Sequence, residues 1–295
     1  MSSPGRATGA GRAAGVLRAG GLLGLCFLVG CGTEVIPIPI PCPACTATAA
    51  AICDTVVMPD GTRLRAEYSP GEPGRPLIIA VPGFGGSYLD VGLVFPKGSF
   101  PTLSLSLPGN LCSDRLPAGR PHTVAAGTEA VEALLEHYAD LLAQFGENKL
   151  LVGASFGGLV VADYFAKHPT SEMPAVIVAA QDTPLTGGLF DAIGGYLQVM
   201  RNLFPLVDNA HLQQYLASSR TFDVSAALAR TRNRWLIIDV AEDDLAVGGR
   251  AMAERLGERA RHAVIPGNHF TLLVAGESIR QAIGEHLGFL LRGEP

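Results

Sequence analysis

The stretch Lys149-Leu-Leu-Val-Gly-Ala-Ser155-Phe-Gly-Gly-Leu-Val-Val-Ala-Asp-Tyr-Phe-Ala-Lys-His168 decides the fold. Its first half is a continuous apolar run, as a buried parallel strand requires. Its second half, LVVADYFAKH, reads as a helix that Pro169 ends. Between them Gly153-Ala154-Ser155-Phe156-Gly157 matches G-x-S-x-G at a strand-to-helix junction. A serine on so tight a turn stands above the carboxyl edge of a sheet. The flanking positions need glycine because side chains there would collide with neighbouring backbone. The pentapeptide alone is weak in a chain rich in Gly, Ala and Ser; the strand before it and the helix after it give it weight.

Working outward, strand and helix alternate along the chain. CDTVVMPDGTRLRAEYSP (53–70) predicts two strands around a Pro-Asp-Gly turn. PLIIAVPG, PTLSLSLPG, PAVIVAAQD, NRWLIIDVAEDD and HAVIPGNHF predict further strands. Val131, Leu134, Leu135, Tyr138, Leu141, Leu142 and Phe145 recur on one face of an amphipathic helix, which Gly146 stops. Arg250–Arg259 and the segment carrying Ile279, Ile283, Leu287, Leu290 and Leu291 complete the helices. Strands separated by helical patterns imply an α/β fold: a mostly parallel sheet with helices on both faces. The stretch between PAVIVAAQD and NRWLIIDVA is too long for one crossover. Residues 185–217 within it are apolar and helical in pattern, which points to a small helical cap over the mouth of the sheet. A packed crossover helix is the alternative.

Three features stand where chemistry with Ser155 needs them. The strand PLIIAVPG runs into Val81-Pro82-Gly83-Phe84-Gly85-Gly86-Ser87, a glycine-rich loop. An oxyanion hole takes two backbone N–H groups, expected here from Phe84 and from Phe156, the residue after the serine. The strand WLIIDVA runs into Glu242-Asp243-Asp244, and a carboxylate at a strand's carboxyl end can hold an imidazole in one tautomer. Asp244 is the first choice and Asp243 the alternative, one of the two being free to cap the next helix. His269 follows the final strand and would act as the base for Ser155. The other six histidines read as structural. Ser155, the acid and His269 follow one another in the order of an α/β-hydrolase triad.

Composition adds exclusions. Of 295 residues, 48% are hydrophobic and 17% charged, which excludes a disordered chain. A formal charge of −5 without a basic cluster disfavours nucleic acid as a partner. The mean hydropathy of +0.29 owes much to the N-terminus. There Arg6, Arg12 and Arg18 precede the apolar run AGGLLGLCFLV (19–29), which is too short to span a bilayer. We expect a signal peptide over 1–30 and a Pro/Thr/Ala-rich tether over 31–51, much of it in polyproline II, ahead of a domain over 52–295. Loss of residues 1–30 removes three arginines and no acid, taking the charge to −8. Cys42, Cys45, Cys53 and Cys112 then suit structural disulfides, with three pairings open.

Two resemblances follow from these motifs. Leu28-Val29-Gly30-Cys31 resembles the lipobox of bacterial lipoproteins, which implies lipidation of Cys31 and anchoring to a membrane, with the outer membrane or cell surface favoured. From about Cys53 onward, VPGFGGS, GASFGG, VAEDDLAV and GNHF resemble the α/β-hydrolase superfamily. That resemblance implies an eight-stranded sheet, an acyl-enzyme mechanism, no cofactor and no metal. Pro82 stands where many members carry histidine, and Ala241 where many carry glycine; both blur the subfamily alone. The expected activity is hydrolysis of carboxylic esters, the apolar cap pointing to an acyl or small hydrophobic ester substrate of open chain length. A thioesterase or amidase would use the same residues, and a catalytically silent binding lipoprotein is the alternative from another class.

Overall fold

The computed structural model describes residues 51–182, 210–243 and 248–294. The proposed signal peptide, Cys31 and all but the last residue of the tether lie outside them, as does most of the expected cap (185–209).

Eight strands form one sheet: β1 Ile52–Val57, β2 Arg63–Ser69, β3 Leu77–Val81, β4 Thr102–Leu105, β5 Lys149–Ala154, β6 Ala175–Val178, β7 Trp235–Val240 and β8 Ala260–Ile265. Their spatial order is β1-β2-β4-β3-β5-β6-β7-β8. β1 pairs antiparallel with β2, and β2 antiparallel with β4. All other pairs are parallel, with Ile78 opposite Leu150 and Ile177 opposite Ile237 among the registers. β3 and β6 are buried at every position, β5 and β7 at all but one or two. Their unbroken apolar runs are the composition of strands covered on both faces.

The described helices are α1 Tyr88–Val94, α2 Val124–His137, α3 Ala139–Phe145, α4 Phe156–Lys167, α5 Ala210–Ser219, α6 Val224–Leu228, α7 Gly249–Leu256 and α8 Gly276–Glu285. Alternation along each strand divides the core in two. Leu77, Ile79, Leu151, Ile177, Trp235 and Ile237 face one layer, with Leu134 of α2 and Phe165 of α4. Ile78, Leu150, Val152, Val176, Leu236 and Ile238 face the other, with Val91 of α1 and Ile283 of α8. A fully buried side chain of this size contributes about 1.5–3 kcal/mol of hydrophobic stabilisation. Trp235 is wholly buried, edge-on to Phe165, and its indole N–H donates to Thr231 Oγ1.

Two helices differ from their sequence patterns: the last stops at Glu285, and a separate helical turn, Gly288–Arg292, carries Leu290 and Leu291. The apolar face through Val131–Phe145 is shared by two helices that meet at Tyr138, where the backbone leaves helical geometry (φ −101°, ψ 23°). α2 starts earlier, at Val124, under the N-cap of Thr123. Gly146 ends α3 at φ +52°, a conformation side chains resist.

Candidate active site

Ser155 links β5 to α4 at φ +52°, ψ −121°. A non-glycine residue in that region is strained and persists where the surroundings overdetermine it. The surroundings here are backbone. A Cβ on Gly153 would lie 2.3 Å from Gly157 O, and one on Gly157 would lie 2.3 Å from Val81 O and 2.6 Å from Pro82 O. One on Gly158 would lie 2.6 Å from Ala180 Cβ. The glycines therefore let α4 leave directly beneath β3 and β6, and the serine is lifted to the carboxyl edge.

His269 Nε2 lies 2.8 Å from Ser155 Oγ. Its Nδ1 lies 2.8 Å from Asp243 Oδ2, a carboxylate with no solvent exposure. The structure thus joins Asp243, the alternative acid, to the histidine; Asp244, the first choice, lies outside the described residues. The cause is visible in the strand ends. Beyond Val240, Ala241 N–H donates to Ile265 O and Glu242 N–H to Gly267 O, so the pairing of β7 with β8 runs on for two residues. Asp243 then turns back, its N–H on Val240 O, level with the histidine loop. That loop is tight. Gly267 has φ +113°, Asn268 N–H donates to Thr271 Oγ1, and Thr271 N–H returns to Asn268 O.

His269 meets both a carboxylate and a hydroxyl, and other histidines pair differently. His137 pairs with Asp54, His168 with Glu132 and His262 with Asp239. His286 bonds Ala282 O, and His122 bonds Gln214 and Leu116 N–H.

The expected oxyanion donors flank the serine. Phe156 is the first residue of α4, so its N–H has no partner inside the helix. Phe84 lies inside a turn closed by Gly86 N–H on Gly83 O. This turn touches the elbow: a Cβ on Gly83 would lie 3.3 Å from Ser155 Cβ. Ser87 and Asp90 form a reciprocal capping box at the start of α1, holding the turn's far end. Beside it lies an apolar recess of about 60 Å³, lined by Pro82, Gly83, Val91, Ala154, Leu272 and Leu273 among others. The oxyanion turn, the residue before Ser155 and the residues after His269 all contribute to its wall.

The described end of the expected cap, 210–217, falls within α5. Tyr215 of this helix packs its ring 5.0 Å from Phe156 and donates its hydroxyl to Pro108 O. Burial raises the Tyr215 hydroxyl far above its ordinary range, so it stays a donor. Asp182, at the exit of β6, is joined to Ser225 and Arg255, which ties that exit to α6 and α7. Sequence reading missed Tyr215, Asp182 and also Asn110, whose carboxamide donates to Gly86 O at the end of the Phe84 turn; the partners of all three are distant in the chain. The LPGN turn after β4 was the available signal for Asn110.

An arrangement of hydroxyl, imidazole and buried carboxylate, at a helix start and beside a glycine-rich turn, can activate an oxygen nucleophile. Among the described residues no group of three or more His, Cys, Asp or Glu side chains is gathered as a metal needs. Cys53 and Cys112 are both disulfide-bonded.

No curated protein matches the chain by sequence. Solved structures resemble it in fold. A hydrolase from Pseudomonas aeruginosa is 21% identical with a TM-score of 0.63, over 80% of this chain and 98% of its own. A carboxylesterase structure from Nitrososphaera gargenis is 14% identical with a TM-score of 0.63, over 82% and 100%. The thioesterase domain of the curacin biosynthetic pathway is 11% identical with a TM-score of 0.56, over 79% and 99%. The model of the alpha/beta hydrolase fold family matches residues 76–235, more than half of the sequence, and the chain belongs to that family.

Proposed function

We propose that the protein is a serine hydrolase that cleaves carboxylic esters of small hydrophobic acyl groups through an acyl-enzyme. The hydrogen-bonded series Ser155 Oγ, His269 Nε2, His269 Nδ1 and Asp243 Oδ2, with the serine at φ +52°, carries this reading. Ser155 Oγ attacks the carbonyl carbon while His269 Nε2 takes its proton. The carbonyl electrons move onto oxygen, where Phe84 and Phe156 N–H donate; one such donor contributes about 10²–10³ in kcat. Collapse of this intermediate expels the alcohol oxygen, which takes the proton from Nε2. Water then repeats the sequence on the acyl-enzyme. Asp243 keeps the Nδ1 proton in place and stabilises the imidazolium at each step.

The small apolar recess of about 60 Å³ beside the Phe84 turn supports a short acyl group. The N-terminal signal, the lipobox cysteine Cys31 and the disulfide-bonded Cys53 and Cys112 support export and lipid anchoring in the cell envelope. The test is labelling by a fluorophosphonate together with hydrolysis of p-nitrophenyl esters. Wild type should be labelled at Ser155, and Ser155→Ala should not. Acetate and butyrate esters should turn over faster than octanoate, and faster than matched thioesters and anilides. A folded wild-type sample that neither labels nor hydrolyses any of these refutes the proposal.

A further inference from the structure

The loop after β4 reaches neighbours of both residues expected to supply the oxyanion donors. On one side Asn110 Nδ2 donates to Gly86 O at 3.0 Å, at the end of the turn that contains Phe84. On the other, Pro108 O accepts the hydroxyl of Tyr215, whose ring lies against Phe156. Two residues of one short loop therefore touch the supports of two donors that lie 72 positions apart in sequence.

Asn110 is 6% exposed. Its backbone is fully engaged, the N–H on Leu107 O and the carbonyl receiving Ser113 N–H. Gly86 O can only accept, so the carboxamide must turn its nitrogen toward the turn. Its Oδ1 is then buried with no hydrogen-bond partner among the described residues. An orphaned buried acceptor costs stability, and an apolar residue of similar size would avoid that cost. The carboxamide is thus poorly explained as a contribution to folding and well explained by its grip on the turn. Other contacts support the turn as well. Gly86 N–H bonds Gly83 O, and the Ser87–Asp90 box holds the start of α1. Tyr88 N–H reaches Ser106 Oγ and Phe84 packs on the core, but Asn110 is the side chain that holds the Gly86 carbonyl.

We propose that Asn110 is a positioning residue that, through Gly86 O, sets the Phe84 N–H where the oxyanion forms. This rests on the ester-hydrolase reading above. A shift of about 1 Å in such a donor is enough to cost about 100-fold in rate.

The experiment measures kcat, KM, fluorophosphonate labelling rate, pH profile and thermal midpoint on the full chain and four variants. Asn110→Asp keeps the shape but sets an oxygen against Gly86 O; Asn110→Ala removes the contact. Both should lower kcat about 10- to 100-fold, slow labelling by the same factor, leave KM within twofold and leave the shape of the pH profile unchanged. Tyr215→Phe keeps its ring on Phe156 but releases Pro108 O, and should lower kcat about threefold to tenfold. Ser113→Ala is the control. It loosens the same loop by losing its bonds to Arg65 N–H and Ser106 O, and should lower the thermal midpoint without lowering kcat. Wild-type kcat in both Asn110 variants overturns the proposal, as does an equal loss of kcat in Ser113→Ala. Inactivity of the wild type itself would instead overturn the hydrolase reading beneath it.

Discussion

Replacing Asp243 by asparagine tests the site at its least exposed point. The two side chains have the same shape, and the carboxylate it replaces is wholly buried at 2.8 Å from His269 Nδ1. The carboxylate can only accept, so Nδ1 must carry the proton and Nε2 presents a lone pair to Ser155 Oγ. An asparagine would offer its N–H to Nδ1 and move the ring proton to Nε2. The imidazole would then donate to Oγ and could not take its proton. The imidazolium formed in the transition state would also lose its counter-charge. Together these should lower kcat by about 10³–10⁴, equivalent to about 4–5.5 kcal/mol on the barrier. The hydrogen bond to Nδ1 survives in reversed direction, so the thermal midpoint should move by only a few degrees. The assay is p-nitrophenyl ester hydrolysis under saturating substrate, with a thermal melt on the same samples. Asp244→Asn, measured alongside, should keep kcat within about threefold. An Asp243→Asn enzyme that retains wild-type kcat, or an Asp244→Asn enzyme that loses more, refutes the assignment.

Gly157→Ala should lose all detectable ester hydrolysis and about 3 kcal/mol of stability, because the new methyl meets Val81 O and Pro82 O, both backbone atoms that cannot rotate away; chemical denaturation reads the stability change. His122 bears on acid stability. Burial holds its imidazole below the ordinary value of 6.5, and Leu116 N–H needs its bare Nε2. The unfolded chain therefore binds this proton first, so stability is constant above about pH 6.5 and falls as the pH drops below it. His122→Gln should flatten that fall in thermal midpoints measured from pH 7.5 to 5. Cys31→Ser should move the protein from the membrane pellet to the soluble fraction of the expression host, and continued retention would refute lipid anchoring.

Much of this site was legible before any coordinates, and the reason is locality. The elbow is a matter of some ten residues: an apolar strand, a serine on a turn and glycines at the points of closest backbone approach. Gly153 and Gly157 collide with atoms supplied largely by the same turn and by the strand end PLIIAV. The parallel sheet was likewise written in unbroken apolar runs, and β1 and β2 in a Pro-Asp-Gly turn between two short strands. Where the pattern misled, in the long helix through Tyr138, periodicity continued across a break because α2 and α3 keep their apolar faces on the same side.

The sequence by itself determined the order of serine, acid and histidine, and the chemistry available to each. It could not choose between Asp243 and Asp244, because adjacent carboxylates are chemically identical along a chain. Tertiary structure brings Asp243 to His269 Nδ1, through two backbone hydrogen bonds that extend β7 alongside β8. The grip of Asn110 on Gly86 and of Tyr215 on Pro108 was invisible for a related reason. The partners lie 24 and 107 positions apart, and no local preference marks a side chain for a carbonyl that only the folded chain brings within 3.0 Å.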